Sequence, residues 1–504
     1  MVAGNFIYMN SLHELYSEYI SISNNWPLDD WSISKECFDM IIKVLPFNST
    51  ILEIGSGHST ELLSKFYNMI SIENNKEWIN KYKSEYIYIP LSPMKSDIFG
   101  DTIWLDADAL KDYIQNKKYD LLLVDSGGDR VGILDHIDIF NNDIPIIFDD
   151  TMNENYLKCA TLVAKKLNKH CITYKCAVNK YATTWFDGKQ FSIIIPTINI
   201  LFVCPYYNNS HFLPIQINSF KKYLKNCNWK ILVIDDSTES TVNIYTNQKE
   251  DIHKACLENS DYVIYLKYPL PHSSTNAFIK HQEILNYMFK VVPSHFSRTF
   301  SYMASFDADM CFIKEYDVFN ELYGYDIIGP KRIQSLGNIQ LDPKFPLFTF
   351  IFVHCAFFNI KTITNIDTIK MGCIPNTTTD TGAMMVEFMY NNPKYTIKYL
   401  EFTSGQEGLD SFNLFEFYND NTFIHYLSGS MWSSSYKSSH TLKNIEDDVD
   451  NFRSLVEKGL TNEDELLIKK ERDAKYRNVK YHKFFTSNQA TKQDFIDWGL
   501  NIQN

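Results

Sequence analysis

From residue 50 to about residue 196, short runs of apolar, β-branched residues alternate with longer amphipathic stretches, the rhythm of a parallel sheet covered by helices. The runs predict strands at Thr50–Ile54, Met69–Glu73, Tyr86–Pro90, Leu121–Asp125 and Pro145–Phe148, then an antiparallel pair at Cys171–Phe186 and Phe191–Pro196. Residues 1–49 carry aromatic and acidic helical segments suited to cap a site on that sheet. Just after Pro196 the pattern restarts, with Ile198–Pro205 as a strand, an amphipathic helix, and Lys230–Asp236 as a second strand. Further on, an apolar strand contains Phe306-Asp-Ala-Asp-Met310, and beyond His440 the chain turns charged and helical, as expected of a surface appendage. The pattern divides the chain into residues 1–196, 197–440 and 441–504.

Composition narrows the classes. A chain of 504 residues exceeds one ordinary core and fits two large domains or three small ones. Ten cysteines without a CxxC pair argue for reduced thiols and against a zinc site or a disulfide framework. A formal charge of −13 excludes nucleic acid as a main partner, because phosphate neutralisation needs clustered Lys and Arg. There is no run of eighteen apolar residues, and Met1-Val-Ala-Gly-Asn-Phe6 lacks a signal peptide's basic region and apolar core. The expectation is a protein without a transmembrane segment, in the cytoplasm, or in a host's cytoplasm if its Asn, Ile, Lys and Tyr richness reflects an AT-rich viral genome.

Chemistry concentrates at strand ends. Gly55-Ser56-Gly57 lets the backbone turn tightly against a ligand, and Glu73 at the next strand end can accept both hydroxyls of a ribose. The bland alternative is a simple turn. Asp125, Asp149 and Asp150 close consecutive strands, and three such carboxylates suit a hard cation such as Mg²⁺ that lowers the pKa of a bound hydroxyl. Against that, Asp149-Asp150 would serve equally as the cap of a following helix. His58 is a general base by type, or a residue of a helix start.

These residues, over about 45–190, resemble a class I S-adenosylmethionine-dependent methyltransferase. The resemblance implies a Rossmann-like fold, S-adenosylmethionine as cofactor, Gly55, Ser56 and Gly57 beside its methionine part, Glu73 on the ribose, and Glu53 supporting the amino group through water or the backbone. The aspartates are similar to those of metal-dependent O-methyltransferases, which gives Asp125 and Asp149 catalytic roles through a metal also held by Asp150. Val124-Asp-Ser-Gly-Gly-Asp-Arg130 resembles an Asp-Gly-x-x-Arg element, with Ser126 in place of its first glycine; Arg130 then binds an acidic substrate group or forms an internal ion pair.

In the second half, Phe202-Val-Cys-Pro-Tyr-Tyr-Asn208 and Val233-Ile-Asp-Asp-Ser-Thr-Glu239 are strand ends able to take a nucleotide, with Asp236 accepting from the base. Asp307 and Asp309, on one face of a strand end, can hold Mg²⁺ or Mn²⁺ against a diphosphate. Asp380 opens an apolar helix, with an N-cap as its plain reading, and Trp432 offers a platform for a ring. His425, in Phe423-Ile-His-Tyr-Leu-Ser-Gly-Ser430, has a buried, satisfied histidine as its plain reading.

This half, about 197–435, resembles a GT-A glycosyltransferase near the family 2 pattern, without that family's usual Glu-Asp pair. The resemblance implies a nucleotide-diphosphate sugar as donor, a glycan or sugar acceptor, Asp380 as the base that deprotonates an acceptor hydroxyl, and His425 aimed at the metal or diphosphate. The expected fold class is α/β, a Rossmann-like methyltransferase domain followed by a GT-A domain and a helical tail. The expected function is a bifunctional glycan-modifying enzyme, glycosyltransferase and O-methyltransferase in one chain, compatible with a homo-oligomer. The rivals are an active glycosyltransferase on a non-catalytic methyltransferase-like scaffold, a glycan-binding protein without activity, and an NAD-linked enzyme in the first half.

Overall fold

The computed structural model describes residues 14–15, 17–24, 32–125, 128–176, 189–207, 210–237, 251–275, 277–336, 346–375, 377, 379, 382–401, 415–426, 442–477 and 489–502. The chain forms two compact units, Met1–Thr197 and Ile198–Asn504. Among the described residues no helix is long and apolar enough to cross a membrane.

In the first unit β1 (Thr50–Ile54), β2 (Asn68–Glu73) and β3 (Glu85–Tyr88) are followed by β4 (Leu91–Ser96), β5 (Gly100–Leu105), β6 (Leu121–Val124), β7 (Ile146–Phe148), β8 (His170–Lys175) and β9 (Gln190–Ile195). Seven of these make one sheet in the order β3-β2-β1-β6-β7-β9-β8, parallel as far as β7 and antiparallel through β9 and β8. Its central strands are mostly apolar, with Glu53 in β1 an exception, as expected of parallel strands buried on both faces; Leu121–Val124 is wholly buried. The sequence pattern did not reveal the separate β4–β5 hairpin. Its Pro, Lys and Ser content and half-exposed strand hide the usual alternation.

The second unit adds β10 (Asn199–Tyr206), β11 (Leu224–Lys225), β12 (Asn228–Asp235), β13 (Val263–Lys267), β14 (Tyr302–Phe306), β15 (Met310–Phe312), β16 (Tyr316–Asp317), β17 (Ile327–Ser335), β18 (Leu347–Ile351), β19 (Cys355–Asn359), β20 (Ile397–Leu400), β21 (Phe415–Tyr418) and β22 (Phe423–Tyr426). Its main sheet runs β13-β12-β10-β14-β19-β17-β18, with β20 beside β17. The first four strands are parallel and β19 pairs antiparallel to β14. A small sheet, β15-β22-β21, carries the strand that leaves the Asp-Ala-Asp turn.

The tail differs from a surface appendage. Leu442–Lys458 and Asn462–Arg477 are helices, as their charge pattern predicts, but Phe452, Val456 and Ile468 are buried in one apolar cluster with Phe212, Phe415 and Tyr426. Val449, Phe452 and Val456, spaced three and four residues apart, give an acidic helix one face to bury. The chain is α/β in both units, Rossmann-like in the first, and ends in a helical tail.

Candidate functional site

Each sheet has a point where the chain reverses its direction of growth, and there the strand ends diverge into a crevice. In the first unit that point lies between β1 and β6, in the second between β10 and β14. The residues with chemistry converge on these two places.

At the first, Gly55 takes φ 93°, a conformation that favours glycine, while its N–H donates to Ile72 O at 2.8 Å. Gly57 is extended, φ −165°, so the backbone makes no such demand there. Glu73 is buried and already engaged: Oε2 accepts from Ser56 N (3.0 Å) and Ser56 Oγ (2.9 Å), Oε1 from Asn74 N (2.8 Å) and Asn75 N (2.7 Å). It ties the glycine turn to the end of β2. His58 stands edge-on to Trp78 and Tyr82, ring centroids 6.2 Å away in each case.

Glu53 lies beneath, 2 % exposed, accepting from Thr60 Oγ1 (2.7 Å) and Ser71 Oγ (2.5 Å). Burial raises its carboxyl from 4.5 to about 8 despite those two donors. The folded chain therefore binds more protons than the unfolded chain between these values. The contribution to stability is full below 4.5 and is lost as pH rises through about 8. At roughly 1.4 kcal/mol per tenfold change in proton affinity, the loss is on the order of 4–5 kcal/mol. A Glu53→Gln chain keeps an acceptor without the charge, so its melting temperature should gain on the wild type steadily from pH 5 to pH 8. A constant difference would mean that Glu53 does not titrate in that window.

The three aspartates stand on adjacent strand ends, where Asp125 N donates to Ile54 O and Asp149 N to Val124 O, each at 3.1 Å. One oxygen from each of Asp125, Asp149 and Asp150 falls within 4.8 Å of the others. Arg130 is packed against them: Nη2 lies 3.2 Å from Asp125 and 2.9 Å from Asp150, and Nη1 donates to Asp149 O at 2.6 Å. The ion-pair alternative for Arg130 is thus realised. Burial, then mutual repulsion, holds the carboxyl of Asp149 well above the ordinary range, and burial raises that of Asp125. Among the described residues, buried Asp149 Oδ1 has no hydrogen-bond donor. Capping does not account for the pair: the Glu154–Lys166 helix is capped by Asn153, whose side chain accepts from Asn155 N at 2.9 Å, and Asp150 adopts φ 56°. Ser126 lies outside the described residues.

At the second crevice, Asp307 and Asp309 occupy the turn between β14 and β15 rather than a continuous strand. Gln216, fully buried on the Phe212–Tyr223 helix, holds that turn by donating to Asp307 O (3.0 Å) and Met310 O (3.1 Å). Strand pairing then supplies histidines. His425 faces Met310 in the β15–β22 register, and its Nε2 is 3.3 Å from Asp309 Oδ1 and 3.8 Å from Asp307 Oδ2. His354, just before β19, accepts from Asp307 N through its carbonyl at 3.0 Å and brings Nδ1 against Asp307 Oδ2. His281, on the Ala277–Phe296 helix, places Nε2 3.8 Å from Asp307 Oδ1. Burial alone would raise Asp307, but these imidazoles bring it well below the ordinary carboxylate range. Asp309 is fully buried, and among the described residues neither of its oxygens receives a hydrogen bond.

Asp236, at the end of β12, binds His272 Nε2 at 2.5 Å, and His272 Nδ1 meets Glu283 at 2.7 Å. Its neighbour Asp235 is taken up by Ser237 N, Tyr265 and Lys267. Sequence reasoning selected Asp307, Asp309, Asp236 and His425. It missed His281, His354, His272 and Gln216, none of which carries a local motif. Asp380 and Trp432 lie outside the described residues.

No protein-family model matches the sequence, and no curated protein matches it. Solved structures similar to it include the precorrin-6y C5,15-methyltransferase of Geobacter metallireducens, with 11% identity over 34% of this chain and 92% of that one, TM-score 0.25. A methyltransferase of the mycinamycin pathway, in complex with Mg, SAH and mycinamycin VI, has 12% identity over 37% of this chain and 48% of that one, TM-score 0.22. A mannosyltransferase of Pyrobaculum calidifontis, in complex with GDP-Man and Mn²⁺, has 10% identity over 40% of this chain and 54% of that one, TM-score 0.26.

Proposed function

We propose that the second unit transfers a sugar from a nucleotide-diphosphate donor to a glycan acceptor, and that the first unit methylates a hydroxyl of the same glycan. The observation that carries the first half is Asp309: a fully buried carboxylate with no hydrogen-bond donor among the described residues, beside Asp307 and His425 at the reversal point of the sheet. Such a group is costly without a cation. Asp307, Asp309 and His425 would hold a divalent ion, which when bound neutralises the leaving diphosphate. Asp236 orients the base, and Asp380 takes the proton of the acceptor hydroxyl.

In the first unit, Gly55, Ser56 and Gly57 would hold the methionine part of S-adenosylmethionine and Glu53 would support its amino group; the cofactor when bound supplies the methyl group. Glu73 exchanges Ser56 Oγ for a ribose hydroxyl. Asp125, Asp149 and Asp150 would hold Mg²⁺, which when bound lowers the pKa of a coordinated hydroxyl, and Asp125 and Asp149 would position the acceptor. One feature favours the rival in which this unit is a scaffold: Glu73 already has four donors.

Calorimetry decides between them. S-adenosylhomocysteine should bind the wild-type chain and bind a Glu73→Gln chain at least tenfold more weakly, while UDP, GDP or TDP should bind in the presence of Mn²⁺. Nucleotide binding without S-adenosylhomocysteine binding leaves the first unit a scaffold; binding of neither overturns the reading.

A further inference from the structure

The Asp-Ala-Asp turn carries more nitrogen than the handling of a diphosphate by a hard ion requires. Asp307, His354 and His425 each offer a ligand atom within 4.8 Å of the others, and His281 stands behind Asp307. The rings of His354 and His425 stack, centroids 5.2 Å apart, as do those of His281 and His354 at 6.0 Å. Phe352 packs on the His354 ring at 4.0 Å, closing that side with hydrocarbon.

We infer that His354 is a ligand of this centre alongside His425, and that the pair commits the site to a first-row transition ion such as Mn²⁺, Fe²⁺, Co²⁺ or Zn²⁺ and against Mg²⁺. This rests on the reading of the turn as a cation site. Three observations support it. Ligand atoms around a six-coordinate ion stand about 3 Å apart, and the 3.3 Å and 3.8 Å spacings of His425 to Asp309 and Asp307 need only small movements to reach that. Imidazole is a good ligand for transition ions, whereas Mg²⁺ prefers oxygen and keeps several of its waters. Asp307 and Asp309 are 5 % and 0 % exposed, a poor setting for an ion that retains a water shell. A structural reading, with an imidazole neutralising Asp307, leaves Asp309 Oδ2 without a donor among the described residues. His281 does not need to bind the ion; it orients Asp307 from the far side.

The test uses the full-length chain stripped with EDTA and titrated separately with Mn²⁺, Co²⁺ and Mg²⁺ by calorimetry. Mn²⁺ and Co²⁺ should bind at least tenfold more tightly than Mg²⁺. In a His354→Gln chain that ratio should fall about tenfold, with Mg²⁺ affinity nearly unchanged. In case that variant folds poorly, pulsed electron paramagnetic resonance of Mn²⁺ in the wild type should detect two directly bound imidazole nitrogens. Equal Mg²⁺ and Mn²⁺ affinity, or a single bound nitrogen, overturns the role of His354 and leaves the cation site standing. If no ion binds, the site reading falls as well.

Discussion

An Asp309→Asn chain should transfer sugar about a thousandfold more slowly than the wild type in saturating Mn²⁺, yet melt no lower in EDTA. The first effect follows from what a cation contributes to a departing diphosphate, several kcal/mol, or about three powers of ten in rate. Asn keeps the shape of the side chain and one oxygen but not the charge that holds the ion. The second effect follows from the surroundings of Asp309, fully buried with neither oxygen receiving a hydrogen bond among the described residues. Removing a buried charge that has no donor relieves the metal-free fold. Turnover measured with the donor sugar, together with melting curves in EDTA and in Mn²⁺, separates the two. A variant that retains a tenth of the activity would show that Asp309 does not carry the ion.

Arg130→Met should be the most damaging single change in the first unit. Its guanidinium, 8 % exposed, faces Asp125 and Asp150 and donates to the carbonyl of Asp149. Removing one partner of a buried ionic group costs about 3–5 kcal/mol, on the order of 10 °C in melting temperature for a unit of this size. The deficit should shrink as pH falls. Burial and mutual repulsion already hold Asp149 above the ordinary carboxylate range, and loss of the guanidinium raises it further, so protonation relieves the repulsion at a pH where the wild type gains nothing comparable. Millimolar Mg²⁺ should restore part of the stability, since the three carboxylates would then share a cation. Recovery with acid but none with Mg²⁺ would identify Arg130 as the permanent counterion and remove the metal from this unit.

Legibility in the sequence followed the range of the interactions. Most strands of the first sheet could be read because they are short runs dominated by apolar residues: Thr50–Ile54 matches residue for residue even with Glu53 inside it, and Leu121, Ile146 and Gln190 begin strands within a residue of the expected positions. Asp307 and Asp309 could be found because two carboxylates after an apolar run form a local signal. His354 and His281 could not, because each reaches Asp307 from a distant segment through strand pairing and helix packing. Gln216 reads as a polar slip in an apolar helix until the carbonyls it serves are placed beside it. The engagement of Glu73 was hidden for a different reason: its donors are Ser56 of the glycine turn and the next two backbone N–H groups, and spacing alone does not distinguish a ribose acceptor from a brace for that loop.

The packing of Phe452 on Phe212, Phe415 and Tyr426, with Val456 O accepting from Tyr223, joins the tail to the strand next to His425. In genetic terms, a premature stop codon between Tyr426 and the Leu442–Lys458 helix would leave the Asp-Ala-Asp turn and His425 encoded and should still behave as a lesion of that turn.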